Sequence, residues 1–129
     1  MMGREHIRNI ALLEDVEISV VFEPDLEMRA LAAQTLPQAV MVDSLETLLA
    51  HDPLDCLVIV SPNHCHMSQL IEIAAQRALP ILCEKPLFTN PADLALAQSF
   101  AQSYPSQVWV AMEYRYMPPV AALIAQAQE

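Results

Sequence analysis

The hydrophobic pattern of the chain alternates between short apolar runs and longer segments with helical spacing. Five mostly apolar runs predict strands at residues 16–22, 39–42, 55–60, 81–83 and 108–112. Between two of them, apolar residues recur every three or four positions, at Met67, Leu70, Ile71, Ala74 and Ala75. Strands and helices that alternate at this spacing predict an α/β fold with a doubly wound parallel sheet.

Polar residues and prolines indicate where helices begin. The chain opens with a helical segment, and Pro24 is expected in the first turn of the second helix. Asp43 is expected to cap the third helix. Asn90 and Pro91 suit the cap and first turn of a helix that ends near Ser103. These boundaries leave short connections, as the α/β pattern requires.

Ligands of parallel α/β sheets bind beyond the carboxyl ends of the strands. The residues that follow predicted strands are therefore the first candidates for a site. They are Glu23, residues 62–66 and residues 84–86. The last group contains Lys85, the only lysine of the chain.

Charge and cysteine content exclude several classes of protein. Sixteen acidic residues against six basic ones give a net charge of -10, and the basic residues are scattered. Nucleic acids and anionic membranes bind clustered lysine and arginine, so neither is an expected partner. Without a signal peptide or a membrane span, we expect a soluble cytoplasmic protein. The three cysteines lack CxxC spacing, and no third ligand accompanies His64 and His66, so we expect neither disulfides nor a metal site.

The segment VIVSPNHCHMSQLIEIAAQRALPILCEKPLFTN, residues 58–90, resembles the signature region of the Gfo/Idh/MocA oxidoreductases. The most specific part is PNHCH at residues 62–66, followed after a helix by EKP at residues 84–86. The resemblance implies an NAD(P)-dependent enzyme that transfers hydride between nicotinamide and a sugar, inositol or related polyol. It implies a Rossmann-like domain over residues 1–112, with residues 113–129 starting a link to a C-terminal α/β domain. A second hypothesis is a non-catalytic, degenerate Rossmann module or a gene fragment.

The same resemblance predicts that both ends of this unit are incomplete. Met1-Met2-Gly3 resembles the end of the family's glycine fingerprint, so a first strand and two pyrophosphate-binding glycines would precede Met1. The second domain, which carries much of the substrate pocket in the family, would follow Glu129. We therefore expect the isolated chain to be inactive. We also expect it to form homo-oligomers or to have low solubility, because strands would lack a neighbour.

The resemblance assigns roles to individual residues. Lys85 is expected to be catalytic, because its ammonium can donate to a substrate hydroxyl and stabilise developing negative charge. Glu23 is expected to accept hydrogen bonds from the adenosine ribose and to repel a 2′-phosphate, which favours NAD over NADP. Pro86 resembles a family proline whose peptide bond is often cis, and a cis bond between Lys85 and Pro86 would aim Lys85 at the pocket. The residues implied to bind the cofactor, besides Glu23, are Gly3, Pro62, Asn63, His64, His66, Glu84, Pro86 and Arg115.

Structural alternatives stand beside these roles. Glu23 has the alternative of a surface carboxylate at a helix start, and Asn63 that of a helix cap. The alternative for Lys85 is an exposed lysine in a turn, and the alternative for Arg115 is a surface position. Trp109, in the last strand, is expected in the core rather than on a stacking surface.

Overall fold

Residues 2–127, which the computed structural model describes, fold into alternating strands and helices in the predicted order. The strands are β1 (Val20–Phe22), β2 (Val40–Val42), β3 (Leu57–Ile59), β4 (Ile81–Glu84) and β5 (Val108–Ala111). The helices are α1 (Met2–Ile10), α2 (Leu26–Thr35), α3 (Leu45–Leu49), α4 (His66–Gln76), α5 (Leu94–Ser103) and α6 (Pro118–Gln126). Met1, assigned to the glycine fingerprint, and residues 128–129 of the expected link lie outside the described part. None of the helices between residues 2 and 127 is long and apolar enough to cross a membrane.

Two of the three predicted helix starts differ from the structure, one by two residues and one by a single residue. Pro24, predicted in the first turn, lies just before Asp25, the N-cap of α2, which begins at Leu26. Ser44 rather than Asp43 caps α3, and its hydroxyl accepts a hydrogen bond from the backbone N–H three residues later at 3.1 Å. Asn90 caps the 3-10 turn before α5, as predicted. Adjacent Asp and Ser are both good caps, so the sequence alone did not distinguish them.

All strand pairs are parallel, which confirms the predicted sheet type. The strands form one sheet of β1 and β2 and a second sheet in the order β3–β4–β5. Within residues 2–127, β1 pairs only with β2 and β3 pairs only with β4 at one edge of its sheet. One edge of β1 and one edge of β3 therefore have backbone groups without a ladder partner.

We expect the purified chain to self-associate through these open edges. Unpaired N–H and C=O groups on apolar strands are a template for pairing with another chain. Sedimentation velocity over a range of protein concentrations checks this, and the expected result is a weight-average mass that rises with concentration. A monomer at every concentration would contradict the prediction.

The core lies on one face of the three-stranded sheet. On this face Leu57 and Ile59 of β3 and Ile81 and Cys83 of β4 are all less than a tenth exposed. Helices α3, α4 and α5 cover them with Leu49, Met67, Leu70, Ile73, Ala97 and Phe100.

The opposite face of the same sheet is less well covered. A row in register across the three strands runs from Val58 through Leu82 to Trp109. The first two side chains are half-buried, and Trp109 is 51% exposed. The prediction that Trp109 is a core residue is therefore wrong, because it lies on the edge strand and on the open face.

Candidate functional site

The candidate residues follow the carboxyl ends of four strands. Glu23 follows β1, and a 3-10 turn over Asn63–Cys65 follows β3. The pair Glu84 and Lys85 ends β4, and a second 3-10 turn over Glu113–Tyr116 follows β5. These residues thus lie at the carboxyl ends of the parallel strands, which is where α/β proteins bind their ligands. We call this side of the fold the carboxyl edge.

Lys85 presents its ammonium at this edge. Its side chain is 47% exposed, and Nζ lies 3.9 Å from Oε1 of Glu113, which is equally exposed. Such an exposed ion pair stabilises by at most about 1 kcal/mol, so it leaves the ammonium available to a ligand. The peptide bond between Lys85 and Pro86 is cis, as the resemblance implied.

Glu84 is one of two polar residues that the fold buries in the described chain. Its side chain is 8% exposed, and both carboxylate oxygens are engaged. Oε1 lies 2.8 Å from Nε2 of His6 on α1, and Oε2 accepts the backbone N–H of Lys85 at 3.0 Å. His6 was not among the sequence candidates. No local pattern links it to a carboxylate 78 positions away, so only the packing of α1 against β4 reveals the pair.

Two titratable groups at the end of β4 have shifted pKa values. Burial tends to raise the pKa of Glu84. Hydrogen bonds from His6 and from the Lys85 N–H, together with the positive charges of both residues, outweigh burial and hold this pKa below its usual 4.5. Burial and the neighbouring Glu84 charge raise the pKa of Cys83 to about 11. The Cys83 thiol is therefore protonated at neutral pH and is a poor nucleophile.

Because the pKa of Glu84 is lowered in the folded chain, the free energy of unfolding should decrease in acid. Since its folded pKa lies below 4.5, ionised Glu84 stabilises the fold above that pH, and the contribution is lost as the pH falls through the folded pKa. We expect Glu84→Gln to destabilise the chain at neutral pH, and we expect its difference from the wild type to shrink as the pH is lowered below 4.5. Urea unfolding at a series of pH values from neutral downwards measures this. The control is Glu46→Gln, an exposed carboxylate on α3, and an equal pH profile for both variants would contradict the prediction.

The loop after β3 divides its residues between surface and core. Pro62, Asn63 and His64 are exposed, and the Asn63 side chain does not cap the turn or α4. His66 is completely buried.

The ring of His66 joins two loops. Nδ1 lies 2.7 Å from the carbonyl oxygen of Pro86, and Nε2 lies 3.0 Å from the carbonyl oxygen of Ser61. A ring with one proton donates to one of these oxygens, and a ring with two protons donates to both. His66 thereby fastens the loop after β3 to the loop that carries Lys85.

Glu23 is held from two sides. Arg29 on α2 donates to its backbone carbonyl oxygen at 2.6 Å, and Oε1 accepts the N–H of Asp25 at 3.0 Å. In the part of the chain that the structure describes, Oε2 receives no hydrogen bond. One carboxylate oxygen of a positioned side chain is therefore available to an external donor.

The first 112 residues match the family model described as an oxidoreductase family with an NAD-binding Rossmann fold, GFO_IDH_MocA. The chain belongs to this oxidoreductase family. It is 38% identical over 87 residues to an inositol 2-dehydrogenase of Corynebacterium glutamicum, a match that covers 67% of this chain and 26% of that protein. The matched region is thus about a quarter of the length of that curated relative.

Solved structures of myo-inositol dehydrogenases share this fold. A myo-inositol dehydrogenase from Corynebacterium glutamicum superposes with a TM-score of 0.84 at 29% identity, over 98% of this chain and 38% of that one. A myo-inositol dehydrogenase from Lactobacillus casei, solved with NAD(H) and myo-inositol, gives a TM-score of 0.89 at 22% identity. That match covers 99% of this chain and 38% of the solved one. The predicted Rossmann-like fold is confirmed.

Two further residues were predicted to bind the cofactor, Gly3 and Arg115. Gly3 on α1 lies against Val60 at the end of β3, and an added Cβ would meet Val60 Cγ2 at 3.5 Å, an ordinary contact. Close packing of α1 against β3 is thus present without requiring glycine. Arg115 is exposed in the turn after β5.

The cofactor contacts assigned to individual residues stay predictions. For Glu84 and His66 the structure shows protein partners on every polar side-chain atom, which gives both residues a role in holding the edge together. Glu23, Asn63, His64 and Lys85 present polar groups that a ligand can reach.

Proposed function

We propose that this chain supplies the NAD-binding part of an oxidoreductase that acts on a sugar, an inositol or a related polyol. The observation that carries the proposal is the half-exposed ammonium of Lys85 at the carboxyl end of β4, in a chain of this family. The similarity to an inositol 2-dehydrogenase supports a polyol as the substrate class.

The residues at the edge fit a dinucleotide. The carboxylate of Glu23 accepts the Asp25 N–H with Oε1 and keeps Oε2 for a ligand, while Arg29 holds the backbone carbonyl of the same residue. Ribose offers two hydroxyl donors to such a carboxylate. A 2′-phosphate would instead meet a negative charge, because Arg29 bonds to the backbone carbonyl of Glu23 and not to its carboxylate. These contacts support NAD rather than NADP.

Lys85 is the residue that we assign to catalysis. When bound, NAD supplies a nicotinamide ring that accepts a hydride. The Lys85 ammonium donates a hydrogen bond to the hydroxyl oxygen of the substrate and stabilises the negative charge that develops there. The amide of Asn63 and the ring of His64, exposed on the neighbouring loop, are available to orient the sugar of the nicotinamide half.

The other predicted residues have supporting parts in this proposal. Pro62 and Pro86 shape the loops after β3 and β4, and both are exposed. Gly3 brings the start of α1 close to β3. Arg115 offers a guanidinium to a phosphate or a substrate oxygen from the turn after β5.

The test is the affinity of the purified chain for NADH and NADPH. Isothermal titration calorimetry should show tighter binding of NADH. Glu23→Gln should weaken the binding of NADH by roughly 10- to 100-fold, because charge-assisted hydrogen bonds contribute about 1.5–3 kcal/mol. The same variant should also bind NADH and NADPH with more similar affinities than the wild type does. Glu27→Gln, the same charge change at an exposed position of α2, is the matched control and should leave both affinities unchanged.

Equal affinity for NADH and NADPH in the wild type would contradict the role of Glu23. No binding of either would overturn the proposed function and favour a non-catalytic module. We expect no turnover of myo-inositol with NAD by the chain alone. Lys85 is half exposed, and hydride transfer requires a site closed to water.

A further inference from the structure

The pair formed by His6 and Glu84 connects α1 to the carboxyl end of β4, where Lys85 follows. Glu84 ends β4, and its carboxylate is almost completely buried. An ionised carboxylate only accepts hydrogen bonds, so His6 must carry a proton on Nε2 to donate across the 2.8 Å contact. His6 itself is 18% exposed, which places the whole pair largely out of water.

The second oxygen of Glu84 reaches the backbone of the next residue. Oε2 accepts the N–H of Lys85 at 3.0 Å. Because one carboxylate bridges the two donors, the orientation of the Lys85 peptide depends on where His6 holds Glu84. The ammonium of Lys85 lies near Glu113 instead, at 3.9 Å, so the hydrogen bond from Lys85 to Glu84 comes from its backbone N–H and not from its ammonium.

We propose that His6 is a positioning residue, which through Glu84 fixes the backbone of Lys85 and thereby the direction of its ammonium. The inference rests on the proposed function for the catalytic role of Lys85. It assigns Glu84 to this chain of contacts and not to the cofactor, since the carboxylate is 8% exposed and both of its oxygens already accept hydrogen bonds from the protein. It also makes the orientation of Lys85 depend on α1, the helix that packs against the end of β3 through Gly3.

The experiment compares two replacements of His6. His6→Phe keeps a planar ring and removes the donor, whereas His6→Gln places an amide donor near the position of Nε2. Nuclear magnetic resonance of the full chain reports the exchange rate of the Lys85 amide with solvent. The Lys85 side chain gives one methyl signal after isotope-labelled reductive methylation, in addition to that of the N-terminus, because it is the only lysine.

We expect His6→Phe to accelerate exchange of the Lys85 amide by about tenfold, the effect of a lost hydrogen bond of ordinary strength. The Lys85 side-chain signal should shift as well. His6→Gln should restore both to near the wild-type values. The Leu70 amide, in the buried part of α4, is the internal control and should exchange at an unchanged rate.

An unchanged Lys85 amide in His6→Phe would overturn the proposal. So would equal acceleration at Leu70, which indicates a loss of global stability, or a failure of His6→Gln to restore the signals. If His6→Phe does not fold, the wild type still decides, because a His6 ring without a proton on Nε2 contradicts the contact. NADH titration separates the two proposals: a wild-type chain that fails to bind NADH ends the proposed function, while the exchange rates still test His6.

Discussion

Replacing His66 with leucine is expected to lower the free energy of unfolding by about 2–4 kcal/mol. The ring is completely buried, and its two nitrogens face the carbonyl oxygens of Pro86 and Ser61 at 2.7 and 3.0 Å. Leucine fills a similar volume but leaves both oxygens without these partners. Each carbonyl oxygen left without a donor costs about 1–3 kcal/mol when water does not replace that donor. Because Ser61 and Pro86 are not fully buried, water can partly replace the ring, and the expected loss stays below the sum of two full costs.

Chemical denaturation measures this loss, and the same segment offers a control. His64→Leu changes an exposed histidine two residues earlier and should alter the free energy of unfolding by no more than about 0.5 kcal/mol. Equal stabilities of the two variants would show that the ring of His66 does not fasten the two loops. We also expect His66→Leu, but not His64→Leu, to loosen the loop that carries Lys85. The folded His66→Leu variant should therefore bind NADH more weakly than the wild type.

Replacing Leu70 with alanine is expected to cost about 3–5 kcal/mol of unfolding free energy. Leu70 is 0% exposed at the centre of the core, where α4 covers β3 and β4. Removing three buried carbons loses their transfer free energy and leaves a cavity that the surrounding strands cannot fill. Calorimetric or urea unfolding measures the change.

The neighbouring position on α4 provides the matched control. Ile71 is 36% exposed, so Ile71→Ala removes as many carbons from a site that already faces solvent. We expect a cost of about 1 kcal/mol there. A Leu70→Ala variant that is no less stable than Ile71→Ala would mean that the core does not lie on the face of the sheet described above.

Secondary structure was predictable wherever the pattern was local. The period of apolar residues at Met67, Leu70 and Ile71 predicted α4, because a helix must bury one face. The buried face differs in one position, since Ile73 is buried and Ile71 is exposed. Strand ends were less certain: β1 begins at Val20, although apolar residues start at Val16. Hydrogen bonding to β2 decides that boundary, and it depends on a segment some twenty residues away.

The candidate site was predictable to the extent that motifs are contiguous. Lys85 and Asn63 could be placed at the carboxyl edge because each directly follows an apolar run. The partners of Glu84 and His66 could not be predicted. Every donor to Glu84 except the adjacent N–H comes from α1, and His66 bonds to carbonyl groups, which every residue carries.

The sequence by itself determined the order of strands and helices, the parallel α/β class and the edge on which Lys85 lies. Periodicity and motif spacing are local properties, so they can be recognised without knowing which segments contact each other. Only the tertiary structure decided that His6 holds Glu84, that His66 is buried between two loops, that Trp109 is exposed and that the strands divide into two sheets. These features depend on how distant segments pack, because a buried polar group or an edge strand takes its partner from whatever the fold brings within hydrogen-bonding distance.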